Sequence, residues 1–341
     1  MSQTHMAAEV AEIPAAAARF LHDSGPALRD AGLALRSRDP HLVATVARGS
    51  SDHAATYLKY AIELLAGIPV ASVGPSVASV YGRSLRLSSA ACIGISQSGQ
   101  SPDIVGMMRA ARNGGALSIA VTNEAQSPMA RASEHCLPLQ AGKEHSVAAT
   151  KTFVVSVLAG LALLADWQQD EALARAVAEA PDAFARSLAL DWSPLSDRLV
   201  SADQAFVLGR GPAFAIANEC ALKFKETCGL HAEAYSAAEV LHGPSAIVQA
   251  RFPVFALGVE DAALPHVVAT AERLAVQGAD VFLTGAPATG ATLLPSVTGL
   301  HPLLAPLVLV TAFYAFVETL ARRRGFDPDT PPHLRKVTET L

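Results

Sequence analysis

A chain of 341 residues carries 26 Lys and Arg against 31 Asp and Glu, a formal net charge of −5. With a pI near 6.1 it has no basic stripe of the kind a nucleic-acid surface requires, so nucleic acid is excluded as a partner. Half of the residues (51%) are hydrophobic and 17% are charged, enough for substantial cores in two domains of ordinary size. Cys92, Cys136, Cys220 and Cys228 form no C-x-x-C pair and read as free buried thiols in a reducing cytoplasm. Acids at Glu9 and Glu12 stand where a signal peptide would have its basic start.

Residues 12–37 are alanine-rich with helical spacing and predict a leading helical segment. From His41 strands and helices alternate. Strands are expected at 42–47, 70–73, 91–95 and 117–121, and a helix at 52–65, with further helices between the later strands. This alternation predicts a parallel sheet covered on both faces. A long helical stretch over 147–179 closes the first unit, and Pro181, Asp191 and Trp192-Ser193-Pro194 read as a linker. The pattern then restarts, with strands at 205–208, 253–257 and 280–283 and helices at 213–228, 262–276 and 304–322.

Val46-Ala47-Arg48-Gly49 and Leu208-Gly209-Arg210-Gly211 each precede a helix, so the two units open alike. The expected architecture is α/β: two tandem doubly wound domains over 37–185 and 186–325, after a helical segment at 1–36 and before a tail at 326–341. Two apolar stretches test for membrane spans. Phe153–Ala165 is too short, and Leu303–Leu320 carries Pro306 and Glu318. Both read as buried helices of a soluble chain with no membrane partner, and their scarcity of charge suggests a homodimer.

The chemistry is densest at Ile95-Ser96-Gln97-Ser98-Gly99-Gln100-Ser101-Pro102-Asp103, where an apolar strand ends in small hydroxyls. Ser101-Pro102 reads as an N-cap followed by proline at the first helical position. Hydroxyls and free backbone N–H groups thus meet at a helix N-terminus, a place suited to an anion. No Lys or Arg lies within the turn, which fits a phosphate on a small polyol better than a nucleotide triphosphate. Glu219, Lys223 and Glu226 share one helix face, which is either a solvated ladder of ion pairs or a site with Glu226 as general base. His242-Gly243-Pro244 is a turn from which an imidazole can project. Nothing stands at metal-ligand spacing to His231 or His242, so neither metal nor other cofactor is expected.

These segments resemble the sugar isomerase (SIS) family, in particular the isomerase half of glucosamine-6-phosphate synthase and the related stand-alone deaminases. Ser96-Gln97-Ser98-Gly99-Gln100-Ser101 is similar to the family's S-Q-S-G-E-[ST] loop, Gly49-Ser50-Ser51 to its G-T-S turn, and Val147-Ala148-Ala149-Thr150-Lys151 to its V-A-S-T-K segment. Ala221-Leu222-Lys223-Phe224-Lys225-Glu226, His231-Ala232-Glu233-Ala234-Tyr235 and His242-Gly243-Pro244 follow the second copy, and residues 6–14 its usual start.

The resemblance implies that Ser50, Ser51, Ser96, Gln97, Ser98 and Ser101 bind a hexose or hexosamine 6-phosphate, with Val147 and Lys223 also at the substrate. It implies Glu226 as the base, His242 as the ring-opening residue contributed across a homodimer interface, and Lys336 as an imine-forming lysine. The implied reaction converts glucosamine 6-phosphate to fructose 6-phosphate and ammonia. Other amino-sugar phosphates as substrate, or a non-catalytic sugar-phosphate sensor, are the alternatives. No glutaminase domain precedes the isomerase half, so synthesis from glutamine is not expected. Gln100 and Ala149 depart from the family's Glu and Ser.

Overall fold

Prolines divide the alanine-rich start into several helices. In the computed structural model, which describes residues 3–336, α1 (His5–Ala11), α2 (Ile13–Asp23) and α3 (Gly25–Arg38) follow one another. Pro14 and Pro26 each lie at the second position of a helix, where the missing N–H has no intrahelical partner to lose. The chain then forms two units. The first-sheet unit holds Ala15–Glu144, Lys151–Glu179 and the tail from Arg335; the second-sheet unit holds the start to Pro14, His145–Thr150 and Ala180–Leu334.

In the first-sheet unit the order is β1 (Leu42–Val46), α4 (Ser50–Leu65), β2 (Val70–Ser72), α5 (Ser76–Ser79), β3 (Ala90–Ile95), α6 (Pro102–Asn113), β4 (Leu117–Thr122), α7 (Pro128–Ala132) and β5 (His135–Pro138). The strands lie parallel in the order β2-β1-β3-β4-β5, with Val43 opposite Val70 on one side and Ala91 on the other. Every residue of β3 and β4 is buried, which explains why β3 is an unbroken apolar run and β4 is apolar but for Ser118 and Thr122. The order reverses between β1 and β3, so the turns after those two strands flank the crevice where such sheets bind ligands.

The stretch expected as one helix over 147–179 is two, α8 (Lys151–Gln168) and α9 (Glu171–Ser187). Gln169 takes a positive φ of 54°, and the Asp170 carboxylate accepts the Leu173 N–H at 2.8 Å, restarting the helix. α8 is apolar around almost its whole circumference and is buried, with α3 and α4 packed on it.

The expected linker is also corrected. Pro181 lies inside α9, where buried Leu173, Val177, Ala180 and Phe184 form one packed face that carries the helix through the proline. Trp192 is buried in front of α10 (Ser193–Leu199). Its indole donates to the Pro295 carbonyl at 3.0 Å and meets Phe255 edge-on at 5.3 Å.

The second-sheet unit runs β6 (Gln204–Gly209), α11 (Pro212–Cys228), β7 (His231–Ser236), β8 (Pro253–Ala256), α12 (Leu264–Val276), β9 (Asp280–Leu283), β10 (Ala291–Leu293) and α13 (Ala305–Arg323). Its sheet is again parallel, in the order β10-β9-β8-β6-β7. The tandem copies agree at the backbone: Gly49 (φ 56°, ψ −133°) and Gly211 (φ 61°, ψ −137°) precede α4 and α11 in the same positive-φ conformation, one that glycine adopts readily. α13 is buried along most of its length and meets α11 through Phe224 and Phe313, whose rings cross edge-on at 5.1 Å. Both apolar helices are covered within the chain, so their lack of charge is no argument for a second copy.

Candidate active site

The serine turn between β3 and α6 is held from several sides. Ser96 Oγ accepts the Gly99 N–H at 3.1 Å, and Ser98 Oγ accepts the Gln100 N–H at 3.3 Å. The Gly99 carbonyl accepts the Met129 N–H at 3.1 Å, and Thr122 Oγ1 donates to the Gln97 carbonyl at 3.3 Å. Gly99 has φ +61°, and a Cβ there would lie 2.2 Å from Ser127 Oγ, so this turn closes only around glycine. Ser101 is the N-cap residue of α6 as expected, but its hydroxyl makes no capping bond.

Ser51, Ser96, Gln97, Ser98 and Ser101 line one cavity of about 370 Å³, together with Arg48, Gly49 and Lys336. That volume lies within the range of small-ligand sites, roughly 300–1,000 Å³. Ser50 opens α4 without lining the cavity, and half-buried Val147 belongs to the 145–150 stretch of the other unit. Gln100 is exposed at the edge of the turn.

Two cations that the turn itself lacks reach the cavity from elsewhere. Lys336 arrives with the tail, and its Nζ lies 3.0 Å from Oε2 of Glu144, a fully buried carboxylate. Glu144 also accepts from Thr152 Oγ1 at 2.6 Å and from the Thr152 N–H at 3.2 Å. Arg48, from the turn after β1, pairs with Asp103 in the first turn of α6. Nη2 and Nε stand 2.8 and 3.1 Å from Oδ2, while Oδ1 takes the Ile104 N–H at 2.8 Å. Nearby in α4, burial pushes the Asp52 carboxyl up, an effect that the charges of His53 and Arg48 oppose.

Glu144 and Asp103 were not legible as site residues. Glu144 stands in a short polar run, and Asp103 reads only as an acidic residue in a first helical turn. Arg48 was visible as half of a repeated Arg-Gly turn, a signal for the fold but not for the cavity.

In the second-sheet unit the Glu219–Lys223–Glu226 face is no solvated ladder. Glu219 and Lys223 are fully buried, and Glu226 is largely so. Lys223 Nζ lies 3.6 Å from Glu219 and donates to Glu226, and Tyr314 on α13 donates to Glu219 at 2.9 Å. His242 closes a 3₁₀ turn (Glu239–His242) and is exposed, with Gly243 at φ 152° behind it. The turn after β8, the counterpart of the serine turn, reads Leu257-Gly258-Val259-Glu260, and the space beside Gly258 and Glu260 is about 10 Å³. The turn of the second copy thus carries no hydroxyl of its own, and the space beside it is too small for a phosphate.

Glu9 on α1 also escaped the sequence reading as a structural residue. Its buried carboxylate accepts the His145 N–H, the Ser146 N–H and the Ser146 hydroxyl, fixing the stretch that carries Val147.

The SIS domain model matches residues 38–165 and 198–287. The chain belongs to the SIS domain family. A crystal structure of a candidate phosphosugar isomerase from Silicibacter pomeroyi DSS-3 is 51% identical, with a TM-score of 0.93, covering 96% of this chain and 100% of that one. The glutamine–fructose-6-phosphate aminotransferase (isomerizing) of Zymomonas mobilis is 32% identical over 311 residues, 86% of this chain and 51% of that protein. The C-terminal domain of the glucosamine-fructose-6-phosphate aminotransferase from Francisella tularensis superposes with a TM-score of 0.87 at 25% identity, covering 97% and 98% of the two chains. This SIS chain therefore spans about half the length of the aminotransferases it matches.

Proposed function

We propose that this SIS protein is an aldose–ketose isomerase that deaminates an amino-sugar 6-phosphate, converting glucosamine 6-phosphate and water to fructose 6-phosphate and ammonia. The observation that carries the reading is the serine turn beside β1, which offers hydroxyls, a helix N-terminus and two cations to one cavity. A phosphate seated on Ser96, Ser98 and Ser101 fixes the far end of the sugar, so binding energy orients C1 and C2.

In this reading His242 assists opening of the pyranose. Its exposure, next to the half-exposed Ile247, supports a role completed by the partner subunit of a homodimer. Glu226 takes the proton from C2 of the open-chain aldehyde and returns it at C1, which leaves an imine at C2. Lys223, held between Glu219 and Glu226, fixes that carboxylate. Attack on the imine carbon, by water or by Lys336 as a free amine, then expels ammonia. The proton moves between adjacent carbons, so the steps need no metal and no organic cofactor.

The test is an assay of ammonia and ketose 6-phosphate from glucosamine 6-phosphate, galactosamine 6-phosphate and fructosamine 6-phosphate. Turnover of glucosamine 6-phosphate, abolished in Glu226→Gln with binding retained, is the expected result. Turnover of another member of the panel alone reassigns the substrate. Tight binding of all three without product makes the protein a sensor.

A further inference from the structure

We propose that Arg48 is a substrate-contacting residue that gives the serine cavity its selectivity for a phosphate dianion, and that buried Asp103 is the residue that positions it. The inference rests on the cavity being a sugar-phosphate site and adds a residue that the family's serine motif does not contain. It starts from a conflict of charge. Asp103 is fully buried in the first turn of α6 and takes the Ile104 N–H at 2.8 Å, so a carboxylate already occupies part of the N-terminus offered to an incoming anion. Uncompensated, that charge repels a second anion at short range, and a buried carboxylate without a partner is itself costly.

Arg48 resolves both problems through two edges of one guanidinium. Nε and Nη2 meet Asp103 Oδ2 at 3.1 and 2.8 Å, while the side chain stays half exposed (51%) and lines the cavity beside Ser51, Ser96, Ser98 and Ser101. The planar fork held by one carboxylate presents its remaining N–H groups in a fixed direction, the geometry that arginine offers to phosphate. Gly49, at φ +56°, turns the backbone immediately after Arg48, so the side chain leaves β1 at the point where the strand order reverses.

The probes are inorganic phosphate, measured by calorimetry, and the KM and kcat for glucosamine 6-phosphate. A charge-assisted contact is worth about 1.5–3 kcal/mol, so Arg48→Met should weaken phosphate binding and raise KM by roughly 10- to 100-fold. Arg48→Lys keeps the charge without the fork and should fall between Met and wild type; equal affinities for the Lys and Met variants would overturn the proposal. Arg48→Met/Asp103→Asn removes the buried charge together with its partner. It should recover thermal stability without recovering phosphate affinity. Recovery of affinity in that double variant would mean that Arg48 only neutralises Asp103, and the proposal would fail. Ser98→Ala and Ser101→Ala are the reference. If they weaken phosphate binding and Arg48→Met does not, Arg48 alone is misassigned. If none of the three weakens it, the phosphate-site reading fails as well.

Discussion

Lys336 and Glu144, 192 positions apart, form an ion pair of 3.0 Å in which the carboxylate is fully buried and the ammonium only a quarter exposed. The pair fastens the tail at the serine cavity. Lys336→Met removes the ammonium from Glu144, a fully buried carboxylate that Thr152 also serves, and should cost about 1–3 kcal/mol of stability, less than a fully buried pair because Lys336 reaches water. Glu144→Gln can still accept the Thr152 N–H through its amide oxygen and carries no orphan charge, so it should cost less. Urea unfolding of both variants is the check; equal costs would show that the buried carboxylate does not depend on the tail.

Lys223 is the deeper case, since it stands between two carboxylates and is only 1% exposed. Lys223→Met should destabilise by about 3–5 kcal/mol, because it takes the ammonium away from Glu219, a carboxylate buried in the core that Tyr314 also serves. Glu226→Gln should change stability by less than about 1 kcal/mol while removing turnover, because shape and a hydrogen bond survive. A Lys223→Met protein as stable as wild type would show that this face is solvated after all.

The sequence made the alternation of strands and helices legible because β3 and β4 are buried throughout and so read as runs rich in apolar residues, β4 broken only by Ser118. Of the edge strands, β2 was legible at 70–73 but β7 was not: it reads His-Ala-Glu-Ala-Tyr-Ser, with one fully buried position, and looks like the loop between two histidines. Pro181 and Trp192 misled for a related reason, since local punctuation gives way to packing around Phe184 and Phe255. At the site, the hydroxyls of the serine turn were legible as a contiguous motif. Of its two cations, Lys336 was singled out only through the family resemblance and Arg48 not at all, because both reach the cavity through the sheet order and the path of the tail. The partners of those cations, Asp103 and Glu144, are fixed by tertiary contacts that no spacing encodes.

Asp52 gives the chain a pH signature. Burial raises its carboxyl above the ordinary value, against the pull of His53 and Arg48, so the folded state binds this proton more tightly than the unfolded chain. Its favourable contribution is fully present below the unfolded pKa of about 3.9 and is lost as pH rises through the raised folded value. Asp52→Asn has no such loss, so its stability relative to wild type should improve from pH 4 to pH 7. Denaturation midpoints at the two pH values measure this, and a relative gain that shrinks with rising pH would contradict the assignment.

Gly99 ties the geometry of the serine turn to its binding. Alanine there meets two separate obstacles. The left-handed conformation costs an L-residue about 1–2 kcal/mol, and the new methyl would sit 2.2 Å from Ser127 Oγ and 2.5 Å from Ser127 Cβ. The turn cannot shift freely, because the Gly99 carbonyl holds the Met129 N–H and the Gln97 carbonyl holds Thr122. Gly99→Ala should therefore cost about 2–4 kcal/mol and weaken phosphate binding by displacing Ser98. Ser127→Gly removes both clashing atoms but also the hydroxyl that caps Ala130 at 3.2 Å, a loss of roughly a few tenths of a kcal/mol because glycine is itself a tolerated N-cap. In the Gly99→Ala background it should nevertheless restore part of the stability and most of the phosphate affinity, leaving the conformational cost. Calorimetric titration with phosphate and urea unfolding of the two single variants and the double separate these terms. A double variant no better than Gly99→Ala would show that backbone conformation alone, and not the Ser127 contact, demands glycine at this turn.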